Sequence, residues 1–315
     1  MGLNRKSPDI NISKEYTSSI IIDNNGNKKD VIYYGFDIIP NVTFGNQIVE
    51  EREKNGKYTS VQDFAIRMNK RGLLNKTSFI SLASAGAFDS LGESRKGIIE
   101  SFKDITKFVK DDISGKLPKT SGLFPEQTPA NEIIIPNDDF DYLAKLHQEN
   151  KDLGYFITGH PLDNIKDGEV DKTAFKVSME EFIKKRFKFK QIKTAATDSR
   201  GSDIGKFSVY PLIVYISDIE IKKRSDSFSI IKITVDTGVD KFIVYPGRNN
   251  GNKDLPLTST GKLIEEGKIY KMLINYWDRD GWANLSAIDI QEVVVDKKGR
   301  FKNLIEVDRY ISKGE

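Results

Sequence analysis

Phe228-Ser229-Ile230-Ile231-Lys232-Ile233-Thr234-Val235, followed at once by Asp236-Thr237-Gly238, is the stretch on which the fold turns. β-Branched and aromatic residues dominate it, and Asp-Thr-Gly closes it with turn chemistry, so it reads as a strand entering a hairpin. Working outward, the same period of two recurs over 208–223, 240–245, 268–277 and 282–294. The joints are Arg224-Ser225-Asp226-Ser227 and Asp278-Arg279-Asp280-Gly281. Five strands of this kind predict an OB-type β-barrel. Leu263, Ile264, Glu265 and Glu266 fall between the third and fourth strands, where that fold places a helix. Pro211 inside the first strand requires a bulge or an unpaired edge, because it has no N–H to give to a ladder.

Upstream the period changes. Ser18–Ile22 and Val31–Tyr34, separated by Asp23-Asn24-Asn25-Gly26-Asn27, read as a β-hairpin. Ser60 caps a predicted helix with Val61, Phe64, Ala65 and Met68 at i, i+3, i+4 and i+7. Asn75 caps a second helix, with Phe79, Leu82 and Ala83, that stops at Gly86; a third runs from Ser94 with Ile98, Phe102, Ile105 and Val109 on one face. Breakers crowd the segment from Asp111 to Pro136, which predicts an exposed linker. A helix capped by Asn137 then ends at Gly154, the turn Thr158-Gly159-His160-Pro161 follows, and Ser178 with Glu181 forms a capping box for a further helix. The expectation is an α+β multidomain chain. A β-hairpin and helical module covers 1–110, a linker 111–136, a helical connector with a basic end 137–200, and the barrel with its tail 201–315.

The 315 residues are 38% hydrophobic and 30% charged with a net charge of +3, which bounds the class without naming a partner. With no cysteine, disulfide and thiolate chemistry are excluded. No apolar run approaches a membrane span, and the start Met1-Gly2-Leu3-Asn4-Arg5-Lys6 leads into no apolar h-region, so a cytoplasmic location without a membrane partner is expected.

No catalytic centre, metal site or cofactor is expected. His147 and His160 are the two histidines, and the first suits a polar helix face, the second a turn between Gly159 and Pro161. No glycine-rich phosphate loop with a following Lys-Ser/Thr occurs. Asp278 and Asp280 resemble a two-carboxylate metal site but equally suit a hairpin turn, and Asp138, Asp139 and Asp141 suit a helix N-terminus. Binding chemistry is better represented. Lys184, Lys185, Arg186, Lys188, Lys190 and Lys193 interleave with Phe187 and Phe189, a pattern that tracks a phosphate backbone and offers stacking faces, or else a solvated helix end. On the barrel, Phe228, Ile230, Lys232 and Thr234 share one face, with Lys222, Lys223 and Arg224 beside them, against the plainer reading of a charged rim.

Three ordered segments carry a resemblance. They are Ser7-Pro8-Asp9-Ile10-Asn11-Ile12-Ser13-Lys14-Glu15-Tyr16, then Ala85-Gly86-Ala87-Phe88-Asp89-Ser90-Leu91-Gly92 with Arg95, then Leu153-Gly154-Tyr155-Phe156-Ile157-Thr158-Gly159-His160-Pro161-Leu162. In this order they resemble the C-terminal portion of the bacterial replicative DNA polymerase III alpha subunits, over nearly the whole chain. The resemblance implies a tandem helix-hairpin-helix region on duplex DNA and an OB domain toward single-stranded template. The first hairpin, Ile39-Pro40-Asn41-Val42-Thr43-Phe44-Gly45, lacks the family's glycine pair, so Lys70, Arg71, Gly72 and Lys76 at the second are the better phosphate candidates. Leu123 and Phe124 stand where the family has a sliding-clamp peptide, with Thr120 in place of its Gln. The family's catalytic aspartates lie in a palm domain upstream, which makes an N-terminal catalytic part of a polymerase an implied partner, this chain being either a separately encoded C-terminal piece or an excerpt of a longer polymerase. Two other readings stand beside this: an adaptor docking on a polymerase or clamp, and a metal-dependent nuclease using Asp278 and Asp280.

Overall fold

A computed structural model describes residues 4–22, 26, 28–114, 133–166, 169–170, 176–185, 190–192, 207–225, 228–246, 263–279 and 282–305. They fall into two compact units, Met1–Phe140 with Gln148–Thr158, and Asp141–His147 with Gly159–Glu315.

The first unit opens with a small sheet in which β3 (Lys28–Tyr33) lies between β1 (Asn4–Lys6), parallel to it, and β2 (Thr17–Ile22), antiparallel. Helices α1 (Gly45–Asn55), α2 (Val61–Lys70), α3 (Lys76–Ser84), α4 (Arg95–Glu100) and α5 (Phe102–Ile113) follow. They bury Phe36, Ile48, Phe64, Met68, Phe79, Leu82, Phe88, Ile98 and Ile105 in one core. Phe64 meets Phe88 edge-on at 5.1 Å, and Phe79 meets Phe102 at 5.1 Å. Three helix starts in this unit are capped: Ser60 Oγ accepts from Asp63 N at 3.0 Å, Asn75 Oδ1 from Ser78 N at 2.9 Å and Ser94 Oγ from Gly97 N at 2.9 Å. At the other end α2 closes on Gly72, whose φ of +71° is the left-handed conformation glycine adopts without strain. Gly72 N donates to Asn69 O and Leu73 N to Met68 O, the paired bonds of a Schellman motif.

Two helix boundaries differ from expectation. The single helix from Ser94 is two, α4 and α5, parted at Ser101 (φ −81°, ψ 2°), yet the apolar spacing runs on through the break. The helix expected from Asn137 is α6 (Tyr142–Leu153), and it begins where Asp141 Oδ1 accepts from Ala144 N at 2.8 Å. Asp138 and Asp139 serve another helix start: Lys96 Nζ meets Asp138 at 2.5 Å and Lys96 N donates to Asp139 at 3.4 Å. The end of the breaker-rich stretch packs into this unit, with Ile135 buried and Gln62 Nε2 donating to Ile133 O.

The second unit is a barrel. Its strands are β5 (Phe207–Ser225), β6 (Phe228–Asp236), β7 (Lys241–Pro246), β8 (Ile269–Arg279) and β9 (Trp282–Val295). β5 pairs with β6, β6 with β7, β7 with β9, β9 with β8, and β8 with β5, so the sheet closes on itself. Among the described residues of the barrel only the β7–β9 pairing is parallel, Tyr245 opposite Ser286. A closed five-stranded mixed barrel in this order is OB-type. Short strands β4 (Lys190–Ile192) and β10 (Phe301–Leu304) extend it at β5 and β9. Leu212, Val214, Ile216, Ile233, Val235, Val244, Met272 and Ile274 fill the interior. A bulge between Ile216 and Asp218 shifts the alternation, so that Ile219, not residue 218, packs inward beyond it. Among the described residues β5 pairs at Pro211 with β8 alone, since its β4 partners end at Val209 and its β6 partners start at Tyr215, so one side of Pro211 carries no ladder there.

The helix expected around Leu263–Glu266 is not found: among the described residues this segment is an irregular turn that buries Ile264 in the barrel. Phe182 of α7 (Met179–Lys185), ahead of the first strand, packs into the barrel core against Tyr210 and Phe242. The expected capping residue does start that helix, Ser178 Oγ accepting from Glu181 N at 3.1 Å.

Candidate nucleic-acid interface

Two surfaces gather the residues singled out in the sequence. On the helical unit, the turn between α2 and α3 exposes Lys70 and Lys76 on either side of Gly72. The first turn of α3 holds Lys76 and no acidic residue, so beyond the neutral Asn75 cap no negative side chain of that turn offsets the positive end of the helix dipole. Arg71 is differently employed: it donates to Gln47 O at 2.8 Å and pairs with Glu50 at 3.0 Å and Glu51 at 3.5 Å, tying the turn to α1.

The first hairpin solves its lost glycines in its own way. Asn41 takes φ +66°, a left-handed conformation that asparagine tolerates better than most side chains, and its carbonyl accepts from Ser78 Oγ at 2.5 Å. Gly45 remains necessary for packing, since a Cβ there would lie 2.7 Å from Cβ of Phe36. α1 starts at Gly45 with no acidic residue in its first turn and no capping side chain on Phe44.

On the barrel, strand register builds a second surface. Buried Ile231, Ile233 and Val235 point inward, so Ile230, Lys232 and Thr234 face out. Glu220 stands opposite Lys232, Lys222 opposite Ile230, Asp218 opposite Thr234, and Thr234 opposite Ile243. Ile243 is 43% exposed, and Tyr245, two residues on, leaves β7 on the same face. The outer face of β5–β6–β7 thus carries two lysines together with Ile230, Ile243 and one aromatic side chain, Tyr245. Glu220 sits between the lysines, 3.2 Å from Lys222 Nζ and 3.3 Å from Lys232 Nζ. Hydrogen bonds and charge from both ammonium groups hold its carboxyl below the usual range.

Ile243 and Tyr245 were missed in the sequence reading. Alternation from buried Phe242 and Val244 places them outward, but pairing across strands was needed to set Ile243 opposite Thr234, on the face that carries Lys232.

Other expected residues are placed as follows. Lys184 pairs with Glu180 at 2.5 Å; Lys185 ends α7 and Lys190 opens β4. Lys223 and Arg224 lie near the end of β5 and Phe228 opens β6. Arg186, Lys188, Leu123, Phe124 and Asp280 lie outside the described residues, and Asp278 is on β8.

Both histidines are engaged in holding the second unit together. His160 Nδ1 accepts from Leu162 N at 3.2 Å, which leaves Nε2 to donate to Asp236 Oδ1 at 2.9 Å. Burial alone would raise the Asp236 pKa, but the hydrogen bonds from His160 and Gly238 N and the charge of Lys241 leave it below the ordinary carboxylate value. His147 Nδ1 meets the Tyr215 hydroxyl at 3.1 Å. Among the described residues no three His, Cys, Asp or Glu side chains converge as a metal site, and no helix is long and apolar enough to cross a membrane.

A helix-hairpin-helix motif family model matches residues 2–98. The DNA polymerase III subunit alpha of Borreliella burgdorferi is 31% identical over 173 residues, 53% of this chain and 14% of that protein. Its counterpart in Campylobacter jejuni is 28% identical over 170 residues, 52% of this chain and 14% of the relative. That of Deinococcus radiodurans is 33% identical over 125 residues, 37% of this chain and 9% of the relative. The resemblance therefore extends over about half of this chain, and the chain spans at most 14% of the length of these relatives. A solved chain from a replication protein A heterotrimer bound to single-stranded DNA covers 36% of this chain at 12% identity and a TM-score of 0.20, too slight a likeness to bear on function.

Proposed function

We propose that this chain, similar over half its length to DNA polymerase III alpha subunits, is a DNA-binding part of a C-family replicative polymerase. In this reading the helical unit holds duplex DNA through the turn carrying Lys70, Gly72 and Lys76. The outer face of β5–β6–β7 meets single-stranded template through Lys222, Lys232 and Tyr245. Polymer synthesis belongs to a palm domain on an N-terminal catalytic partner, Leu123 and Phe124 are offered to a sliding clamp, and the work is done in the cytoplasm.

The observation that carries this reading is order: a helix-hairpin-helix motif precedes a closed OB-type barrel on one chain, and the matched relatives are DNA polymerase III alpha subunits. Physical chemistry supports it on both units. A helix start free of acidic side chains favours a phosphate, and lysines on one face with the half-buried Tyr245 favour an unpaired strand.

The test is equilibrium binding of the full chain to labelled single-stranded DNA and to a primer–template, followed by fluorescence anisotropy from low to high salt. Binding to both that weakens as salt rises, with no nucleotide incorporation by the chain alone, is the expected result. No binding to either at low salt overturns the proposal.

A second reading, an adaptor that docks on the polymerase and scarcely touches DNA, has one observation in its favour. Arg71, Lys222 and Lys232 already have carboxylate partners. Retention on a catalytic polymerase fragment without DNA affinity would select it.

A further inference from the structure

Lys222 and Lys232, on neighbouring strands, share a single carboxylate, and its two oxygens are divided between them: Glu220 Oε1 faces Lys222 Nζ at 3.2 Å and Oε2 faces Lys232 Nζ at 3.3 Å. The pairing is fixed by the backbone. Glu220 is opposite Lys232 in the ladder, and Lys222 follows two residues later on the same face of β5. All three side chains reach solvent, at 43%, 58% and 33% exposure for Glu220, Lys222 and Lys232, so the cluster is open to an incoming ligand. A phosphodiester also presents one negative charge on two non-bridging oxygens, the same pattern of acceptors that the carboxylate presents to these two ammonium groups.

We propose that Glu220 is an internal competitor for the backbone phosphate of single-stranded DNA, occupying the site that Lys222 and Lys232 form and setting its affinity. Binding on this face is then an exchange. A phosphate enters between the lysines and the carboxylate swings out to water, while Tyr245 and Ile243 on the adjoining strand offer apolar surface to the bases. Before exchange, Glu220 keeps both long side chains gathered, so less rotamer freedom is lost when the phosphate arrives. The same carboxylate makes weak, transient contact the rule, since an exposed pair of this kind is readily replaced by a competing ion.

This inference rests on the reading of the β5–β6–β7 face as a DNA-contacting surface, and the experiment separates the two. Anisotropy titrations with a labelled oligodeoxythymidine compare the full-length chain, Glu220→Gln, and Glu265→Gln, which removes an equal charge from the exposed Lys268 pair elsewhere on the unit. Glu220→Gln is expected to bind about three- to tenfold tighter at low salt. Its log K against log salt should steepen by about 0.7 for each lysine released to a phosphate. Glu265→Gln should stay near the parent, and adding Lys222→Ala and Lys232→Ala to Glu220→Gln should remove the gain. An unchanged affinity in Glu220→Gln, with the parent binding normally, overturns the exchange and leaves the DNA-binding reading in place. An equal gain in Glu265→Gln also overturns it, by making the effect one of net charge alone. Absence of binding by all variants overturns both claims. Thermal melts of each variant verify that the exposed substitutions leave the fold intact.

Discussion

The two units use charge in opposite ways. The helical unit puts ions inside: Arg52 and Arg95 are buried, Glu149 is fully buried, and the same unit buries Ser78, Ser81, Ser84, Ser94 and Ser101. The barrel's core is aliphatic and aromatic; Glu220, Lys222 and Lys232 stand on its outer face, and Asp236 at the end of β6 is buried beside His160. Arg95 shows what interior charge does. It pairs with Asp89 at 2.7 Å and Glu149 at 2.8 Å and donates to Ser84 O, while Glu149 also accepts from the amides of Ile157 and Thr158. One guanidinium thereby fixes the segment that returns to this unit after α6. Charge in such a site specifies structure and is shut off from solvent, whereas Glu220, Lys222 and Lys232 on the barrel face reach solvent, as the proposed exchange requires.

The strongest way to break this contrast is to remove the interior ion. Arg95→Ala leaves Glu149 buried without its cation and is expected to cost about 3–5 kcal/mol in urea unfolding. A loss below about 1 kcal/mol would mean that the network is ornamental and the contrast false. Truncating the barrel's apolar plug comes next. Phe182→Ala empties space against Tyr210 and Phe242 and should cost about 3 kcal/mol, without changing the salt dependence of DNA binding. Asn75→Ala, which deletes the cap of α3, should cost about 1 kcal/mol and weaken primer–template binding more than single-strand binding. A uniform loss on both DNAs would argue against separate roles for the units.

The smallest effect sharpens the comparison through pH. Asp236 of the barrel has a folded pKa below its ordinary 3.8, so its contribution to stability is present above that value and lost as pH falls through the folded pKa. Asp9 of the helical unit is the reverse. Burial, only partly offset by the Asn11 amide and Ser90, raises its pKa above 3.8, so its favourable contribution is present below that value and is lost as pH rises through the folded pKa. Unfolding curves across this acid range should therefore change in opposite senses for Asp236→Asn and Asp9→Asn; changes of the same sign would refute the assignment.

Much of the fold was legible because the barrel alternates and the helices carry their own caps. Ser60, Asn75 and Ser94 start helices as read, and the five strands fall where the period of two placed them. What the sequence concealed was non-local. The break at Ser101 leaves the apolar spacing undisturbed, Asp141 rather than Asn137 starts α6, and a helix ahead of the first strand puts Phe182 into the barrel. Of the candidate site, Lys232 and Lys222 were readable from alternation. Their shared partner Glu220, and the neighbours Ile243 and Tyr245, depend on register between strands, which no single segment encodes. Likewise Arg71 reads as a free basic turn residue until α1 brings Glu50 and Glu51 to it.

The central claim is that the outer face of β5–β6–β7 meets single-stranded DNA. Photocrosslinking of the full chain to a short bromodeoxyuridine-substituted oligonucleotide, with the adducts mapped by mass spectrometry, tests it most directly. Adducts on Tyr245 and the flanking residues of β6 and β7, lost in Lys222→Ala/Lys232→Ala, are the expected result. Adducts confined to the helical unit, with the barrel face unlabelled, would contradict it.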